Sequence, residues 1–299
     1  MFDIQDESNL LELPPMGRGR PSAAMLAERA RLQKVIEENR KRLVSQTAAV
    51  TDQDLLDDIQ YRFDMLSRYA VAAASGEIRC LVASGSPGIG KSWDLMKTLD
   101  DIIPGEYEVI EGGDISPVHL FMAGYRNREV GRVLVFDDSD GLFLKDECCN
   151  ILKKLTDSSP VRRLTYMKDS KVLEAEDVPN EYAFEGSVIF LSNLDFDRMA
   201  QGTDRRSQHI AALNTRSLPL DLKIHTQRAK YVWVRHKAVT AILPRRGVTE
   251  EVQTMVLDYI DKHYDRMRSL SLRTIEYLVT TIRMNPENWQ KDAGIMLLK

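Results

Sequence analysis

The chain has 299 residues, of which 43% are apolar, 7% aromatic and 29% charged. That is enough to bury a sizeable core in one large or two smaller domains, and it excludes a fibrous or mainly disordered chain. The net charge of −4 is uneven: residues 1–50 carry 8 basic and 7 acidic side chains, 51–200 carry 16 and 28, and 201–299 carry 17 and 10.

A basic last third predicts either a polyanionic partner or an acidic face on a neighbouring subunit, and charge alone does not choose. No apolar run approaches the ~20 residues of a membrane helix. The acidic start MFDIQDESNLLELPP lacks the basic-then-apolar order of a signal peptide. The three cysteines, Cys80 and the adjacent Cys148 and Cys149, form neither a disulfide framework nor a metal box, so a reducing cytosol is the expected compartment.

Residues 1–21, with three prolines and the tract Gly17-Arg18-Gly19-Arg20-Pro21, have little to bury and read as an arm. Residues 21–45 are rich in strong helix formers but poor in large apolar side chains, which predicts a helix needing a partner. A firmer helix starts at Thr51, with Asp54 in capping-box position. Its apolar stripe is Leu55, Ile59, Phe63, Leu66, Ala70 and Ala73, and it ends at Gly76. Short β-rich runs follow at 80–83, 107–110, 133–136, 188–191 and 217–222, most of them separated by helical stretches, which argues for a parallel, three-layered α/β sheet. After Leu222 three or four helices remain. The clearest carries Val252, Met255, Val256, Tyr259 and Ile260 on one face, with Thr249 as its cap.

Directly after the apolar run Leu81-Val82-Ala83 stands Gly85-Ser86-Pro87-Gly88-Ile89-Gly90-Lys91-Ser92, which fits the P-loop pattern at every fixed position between a strand and a helix. Glycines there let backbone N–H groups wrap a phosphate chain, and the following helix turns its positive end on the same anion. Lys91 is expected to reach the β- and γ-phosphates and Ser92 to ligate Mg²⁺. The strand Val133-Leu134-Val135-Phe136 ends in Asp137-Asp138: Asp137 is the expected holder of the Mg²⁺ water shell and Asp138 the carboxylate that polarises the attacking water. A third strand, Val188-Ile189-Phe190-Leu191-Ser192, delivers Asn193, which can orient a water against the γ-phosphate or serve only as a turn residue.

The order P-loop, acidic pair, polar residue ending a strand, arginines and then helices resembles the AAA+ ATPase superfamily over residues 77–285. The runs VLVFDDSDGLF, NILKKLTDSS and FEGSVIFLSNL are similar to AAA+ ATPases encoded by bacteriophages. The expected division is an arm over 1–21 and N-terminal helices over 22–76, read from the residues, and, as the resemblance implies, an α/β ATPase domain over 77–223 and a helical lid domain over 224–299. It implies that Arg216 is an arginine finger reaching a neighbouring subunit's site, with Arg205 and Arg206 as rivals, and that Arg273 is a second sensor of the γ-phosphate. It also implies ATP and Mg²⁺ as ligands, and a homo-oligomeric ring or spiral, hexamer-like, as the assembly. The chain departs from the family in carrying Asp137-Asp138 where Asp-Glu is usual, so slow hydrolysis or a nucleotide switch stays open.

Three features bear on the substrate. Arg18-Gly19-Arg20-Pro21 resembles an AT-hook core suited to a narrow minor groove. Residues 161–173 read as two short strands around a polar turn with Lys168 and Lys171 at the tip, where several AAA+ clades carry a pore-facing hairpin. The basic last third suits phosphate contacts. His119, Phe121 and Tyr125, in the segment that would face a pore, read as packing residues of a short helix. The expected function is an ATPase acting on DNA in viral replication or recombination, in the host cytoplasm, with a possible protein partner and no membrane. A protein remodeller and a slowly hydrolysing scaffold are the alternatives.

Overall fold

The computed structural model describes residue 31, residues 50–194 and residues 196–299. Apart from residue 31, the expected arm and the helix over 21–45 lie outside the described residues, and the Arg18-Gly19-Arg20-Pro21 tract with them. Helix α1 (Asp52–Ala74) opens with a reciprocal cap: the Asp54 N–H donates to the Thr51 hydroxyl at 3.1 Å, and the Thr51 N–H donates to the Asp54 carboxylate at 2.9 Å. Ile59, Phe63, Leu66, Ala70 and Ala73 form its buried face.

Five parallel strands follow: β1 (Cys80–Ser84), β2 (Tyr107–Glu111), β3 (Val133–Asp137), β6 (Ser187–Ser192) and β7 (Leu218–Asp221), in the spatial order β2-β3-β6-β1-β7. Parallel pairing requires crossovers, supplied here by helices α2 (Lys91–Ile102), α3 (Pro117–Arg126), α4 (Asp146–Leu155) and α7 (Arg205–Asn214). Strand periodicity then sorts the apolar residues into two layers. Cys80, Val82, Leu134, Phe136, Val188 and Phe190 face one core with Phe121, Cys148, Cys149, Leu152 and Ile210. Leu81, Ala83, Val133, Val135, Ile189 and Leu191 face the other with α1, Leu95, Leu99 and Trp233. The three-layered α/β arrangement read from the sequence is the one found.

The segment over 161–173 needs correction. Strand β4 (Arg162–Thr165) does have an antiparallel partner, but it is β5 (Glu181–Phe184), with Arg162 opposite Phe184 and Thr165 opposite Glu181. Residues 171–173 are helical instead: the Ser170 hydroxyl accepts from the Leu173 N–H and caps α5 (Lys171–Ala175). Lys171 thus opens a helix, and Lys168 lies on the connection, paired with Glu147 at 2.6 Å. A local cap outcompeted the β-branched pattern.

Beyond β7 the chain is helical: α8 (Gln227–Lys237), α9 (Leu243–Arg246), α10 (Glu250–His263), α11 (Leu272–Met284) and α12 (Trp289–Leu297). Thr249 caps α10, accepting from the Val252 N–H, and Val256, Tyr259 and Ile260 are its buried residues. They join Val234, Leu243, Ile275, Leu278, Val279 and Trp289 in a third apolar core. Two short helices, α6 (Phe196–Ala200) and α5, and the short helical turns Asp140–Leu144, Ala238–Ile242 and Tyr264–Arg266 complete the described elements. Among the described residues no helix is long and apolar enough to cross a membrane.

Candidate nucleotide-binding site

Because the five strands are parallel, their C-terminal ends share one edge, and ligand sites of open α/β sheets form outside that edge. The neighbouring strands β3, β6 and β1 end there in Asp137, Ser192 and Ser84, Ser192 lying opposite Ser84 and Asp137 opposite Leu191. The loop Gly85 to Gly90 leaves β1 and enters α2, with Gly88 at φ 70° and Gly90 at φ 98°, conformations that favour glycine. Space demands glycine too, since a Cβ on Gly88 would stand 2.9 Å from the Ser271 Cβ. The backbone is anchored at both faces: the Gly85 N–H donates to the Ser192 carbonyl at 3.3 Å, and the Ser86 hydroxyl donates to the Ile224 carbonyl at 2.5 Å.

Lys91 is only 5% exposed, yet it is a cation. Its ammonium donates to the carbonyls of Gly85 at 2.8 Å and Ser86 at 3.1 Å, and to the Asn193 amide oxygen at 2.7 Å. Burial pulls its pKa below the usual lysine value, and the charges of Asp138, Asp137 and Asp140 oppose that pull. Asn193 in turn donates from its amide nitrogen to Asp138 at 2.6 Å. One hydrogen-bonded chain therefore links the P-loop lysine, the residue beyond β6 and the second acid beyond β3. Asp138 is exposed and sits at φ 50°, a conformation unusual for a residue with a side chain. Asp137 is half-buried; burial raises its pKa, while the hydrogen bond from Ser92 lowers it. A hydroxyl beside a carboxylate is a donor set that suits a hard divalent cation keeping several of its waters.

The helical region closes over the carbonyl side of the same loop. The buried Trp233 indole donates to the Ile89 carbonyl at 2.8 Å, and the Leu272 N–H donates to the Gly88 carbonyl at 2.9 Å. Between α2 and these helices runs a groove of about 200 Å³, lined by Gly90, Trp93, Asp94, Lys237, Leu272 and Arg273 among others. Arg273 is exposed and makes no hydrogen bond or ion pair among the described residues. Lys237 pairs with Asp94 at 3.4 Å, and the Arg245 guanidinium lies 4.4 Å from the centre of the Trp93 ring.

The candidate arginines separate clearly. Arg216 precedes β7, so it lies at the opposite edge of the sheet, a strand length of about 15 Å from its own P-loop. It donates back to the Ala212 carbonyl at 2.6 Å. Arg205 and Arg206 open α7 on the P-loop side: Arg205 pairs with Asp146 at 2.7 Å, and Arg206 faces the charge of Asp140. Phe121 is buried, Tyr125 packs edge-on against Tyr182 at 5.4 Å, and His119 is exposed beside Ser116. Cys148 and Cys149 are buried in α4, and burial raises both thiols, that of Cys149 to about 11.

Sequence reasoning passed over Asp140, which is half-buried at the same edge, and the groove residues Trp93, Asp94 and Lys237. The Asp-Asp-Ser-Asp spacing was the available signal for the first. The second depends on which helices close over α2, which no local pattern carries.

A 36.7 kDa protein of enterobacteria phage T4, from the nrdC–mobD intergenic region and itself uncharacterised, is 32% identical over 245 residues, covering 81% of this chain and 75% of its own. The chain belongs to the family of this phage T4 protein. No family model matches the chain. Among solved structures, the RuvB Holliday junction branch migration motor of Thermotoga maritima is similar over 80% of this chain and 68% of its own, with TM-score 0.46 and 11% identity. NtrX of Brucella abortus in complex with ADP is similar over 89% of this chain and 57% of its own, with TM-score 0.46 and 12% identity. AMPPCP-bound DnaA of Aquifex aeolicus is similar over 76% of this chain and 62% of its own, with TM-score 0.45 and 13% identity.

Proposed function

We propose that the chain is an AAA+-type ATPase, with residues 77–223 as its ATPase domain and 224–299 as its lid. The single observation that carries this reading is the convergence of the P-loop, Lys91, Asn193, Asp137 and Asp138 on one sheet edge, joined by the Lys91–Asn193–Asp138 hydrogen bonds. The backbone of Gly85, Ser86, Pro87, Gly88, Ile89 and Gly90 cradles the phosphates of ATP. Lys91 exchanges its carbonyl contacts for phosphate oxygens. Ser92 and Asp137 hold Mg²⁺, which when bound neutralises charge on the phosphates. Asp138 polarises the attacking water, and Asn193 orients it. Arg273, an unpartnered cation on the groove, reads the γ-phosphate.

Arg216 stands about a strand length from its own P-loop, so its role as a finger needs a second subunit, and activity requires a homo-oligomeric ring or spiral. The working substrate is DNA in a phage setting, in the host cytoplasm; this rests on the basic last third of the chain and on the kinship with a phage protein. An exposed, short Asp138 held by Asn193 favours one second reading, a slowly hydrolysing nucleotide switch on DNA.

The test is steady-state ATP hydrolysis against protein concentration, with and without single- and double-stranded DNA at two salt concentrations, with Lys91→Ala as the blank. Specific activity that rises with concentration and with DNA, less so at high salt, supports a DNA-dependent assembled motor. Hydrolysis indifferent to DNA moves the substrate to protein. Binding without turnover leaves the switch.

A further inference from the structure

Asp140 holds none of the roles assigned above, yet it sits where three elements meet. It opens the short 3₁₀ turn Asp140–Leu144 after β3. One of its oxygens accepts from the Ser192 hydroxyl at 2.9 Å. Ser192 is 2% exposed, is the last residue of β6, and precedes Asn193; its hydroxyl oxygen also accepts from the Leu194 N–H at 3.0 Å. That hydroxyl therefore spends its one proton on Asp140 while accepting from the backbone just past Asn193. Next to Asp140, the buried Ser139 hydroxyl donates to the Ile110 carbonyl at 2.8 Å and ties the same turn to β2. The charged groups facing Asp140 are Asp138 on its own loop, Lys91 from α2 and Arg206 from α7. The Arg206 Nε is buried and makes no hydrogen bond among the described residues.

We propose that Asp140 is a positioning residue for hydrolysis, fixing through Ser192 the chain bend that carries Asn193. The inference rests on the ATPase reading. Asn193 has two partners that must be met at once, Lys91 through its oxygen and Asp138 through its nitrogen. An amide on a strand end keeps both only if the backbone behind it does not swing, and the Asp140–Ser192 bond brackets that backbone from the β3 side.

The experiment measures ATP hydrolysis and the binding of a fluorescent ATP analogue for wild type, Lys91→Ala, Asp140→Ala, Asp140→Asn, Ser192→Ala and the double variant Asp140→Ala/Ser192→Ala. The analogue's Kd and KM are expected to stay within about twofold of wild type, while Asp140→Ala and Ser192→Ala each lower kcat tenfold or more, because positioning acts on the chemical step. The double variant should fall no further than the worse single one, since both remove the same bond. Asp140→Asn retains an oxygen for the Ser192 proton and should recover most of the rate. If Asp140→Ala does not fold, Asp140→Asn and Ser192→Ala still decide the matter. An active wild type with Asp140→Ala or Ser192→Ala within twofold of its kcat overturns this inference alone. So does Asp140→Asn as impaired as the alanine. A wild type no faster than Lys91→Ala overturns the ATPase reading, and this inference with it.

Discussion

Replacing Trp233 by Phe tests whether the helical region is coupled to the P-loop by a bond or only by packing. The indole is 1% exposed, stacks on Phe63 with ring centres 4.4 Å apart, and donates to the Ile89 carbonyl at 2.8 Å. A phenyl ring keeps the stack but leaves a buried carbonyl unsatisfied, which costs about 1–3 kcal/mol. The smaller ring adds about 1 kcal/mol for the space it leaves. For a domain of this size each kcal/mol moves Tm by about 2–4 °C, so a fall of roughly 5–15 °C is expected in thermal unfolding. Trp289→Phe is the control: that ring is 5% exposed and packs 5.3 Å from Tyr259, but its N–H has no hydrogen-bond partner among the described residues. It should lose only the ring term. The P-loop reading adds a second expectation, weaker ATP-analogue binding by Trp233→Phe and unchanged binding by Trp289→Phe. Equal Tm losses in the two variants would refute the reasoning, because the bond to Ile89 would then contribute nothing.

Gly88→Ala combines a φ of 70° with a Cβ 2.9 Å from that of Ser271, so a stability loss of about 1–3 kcal/mol is expected in urea unfolding; a midpoint equal to wild type would contradict it. Lys91→Ala and Arg216→Ala should each be inactive alone, and mixing them should restore part of the ATPase rate. No recovery in proteins that demonstrably co-assemble would remove Arg216 as a finger in trans. His236 is held below its ordinary pKa of 6.5, first by burial and then by Lys237, while the Gln60 side chain lies 3.1 Å from its ring. Protonation is therefore penalised in the folded state, and stability is lost as pH falls through about 6.5 toward the lower folded value. Tm measured from pH 8 to pH 5 should decline in that window, and His236→Gln should flatten the decline; an unchanged slope would point to His263, which burial also holds low.

Much of the architecture is legible along the chain, because it is written in local periodicity. Short β-rich runs separated by helical stretches pointed to the strands, and spacings of three and four to α1 and α10. Glycines at 85, 88 and 90 after a strand gave a phosphate-cradle motif in its strand–loop–helix setting. The segment over 161–173 was misread because a Ser170 cap and a helix compete there with a β-rich pattern, and its true partner strand lies beyond both.

What no window of sequence carries is distance between strand ends. Strand order, not spacing along the chain, sets β6 between β3 and β1, and only that order lets Asn193 bridge Lys91 and Asp138 across separations of 102 and 55 residues. The same order joins Ser192 to Asp140, separates Arg216 from the P-loop edge and brings Arg206 to it. Local residues choose helix, strand or turn because those choices are settled within a few bonds. Which side chains meet at the sheet edge is settled by how two apolar layers pack against one parallel sheet, a property of the whole fold.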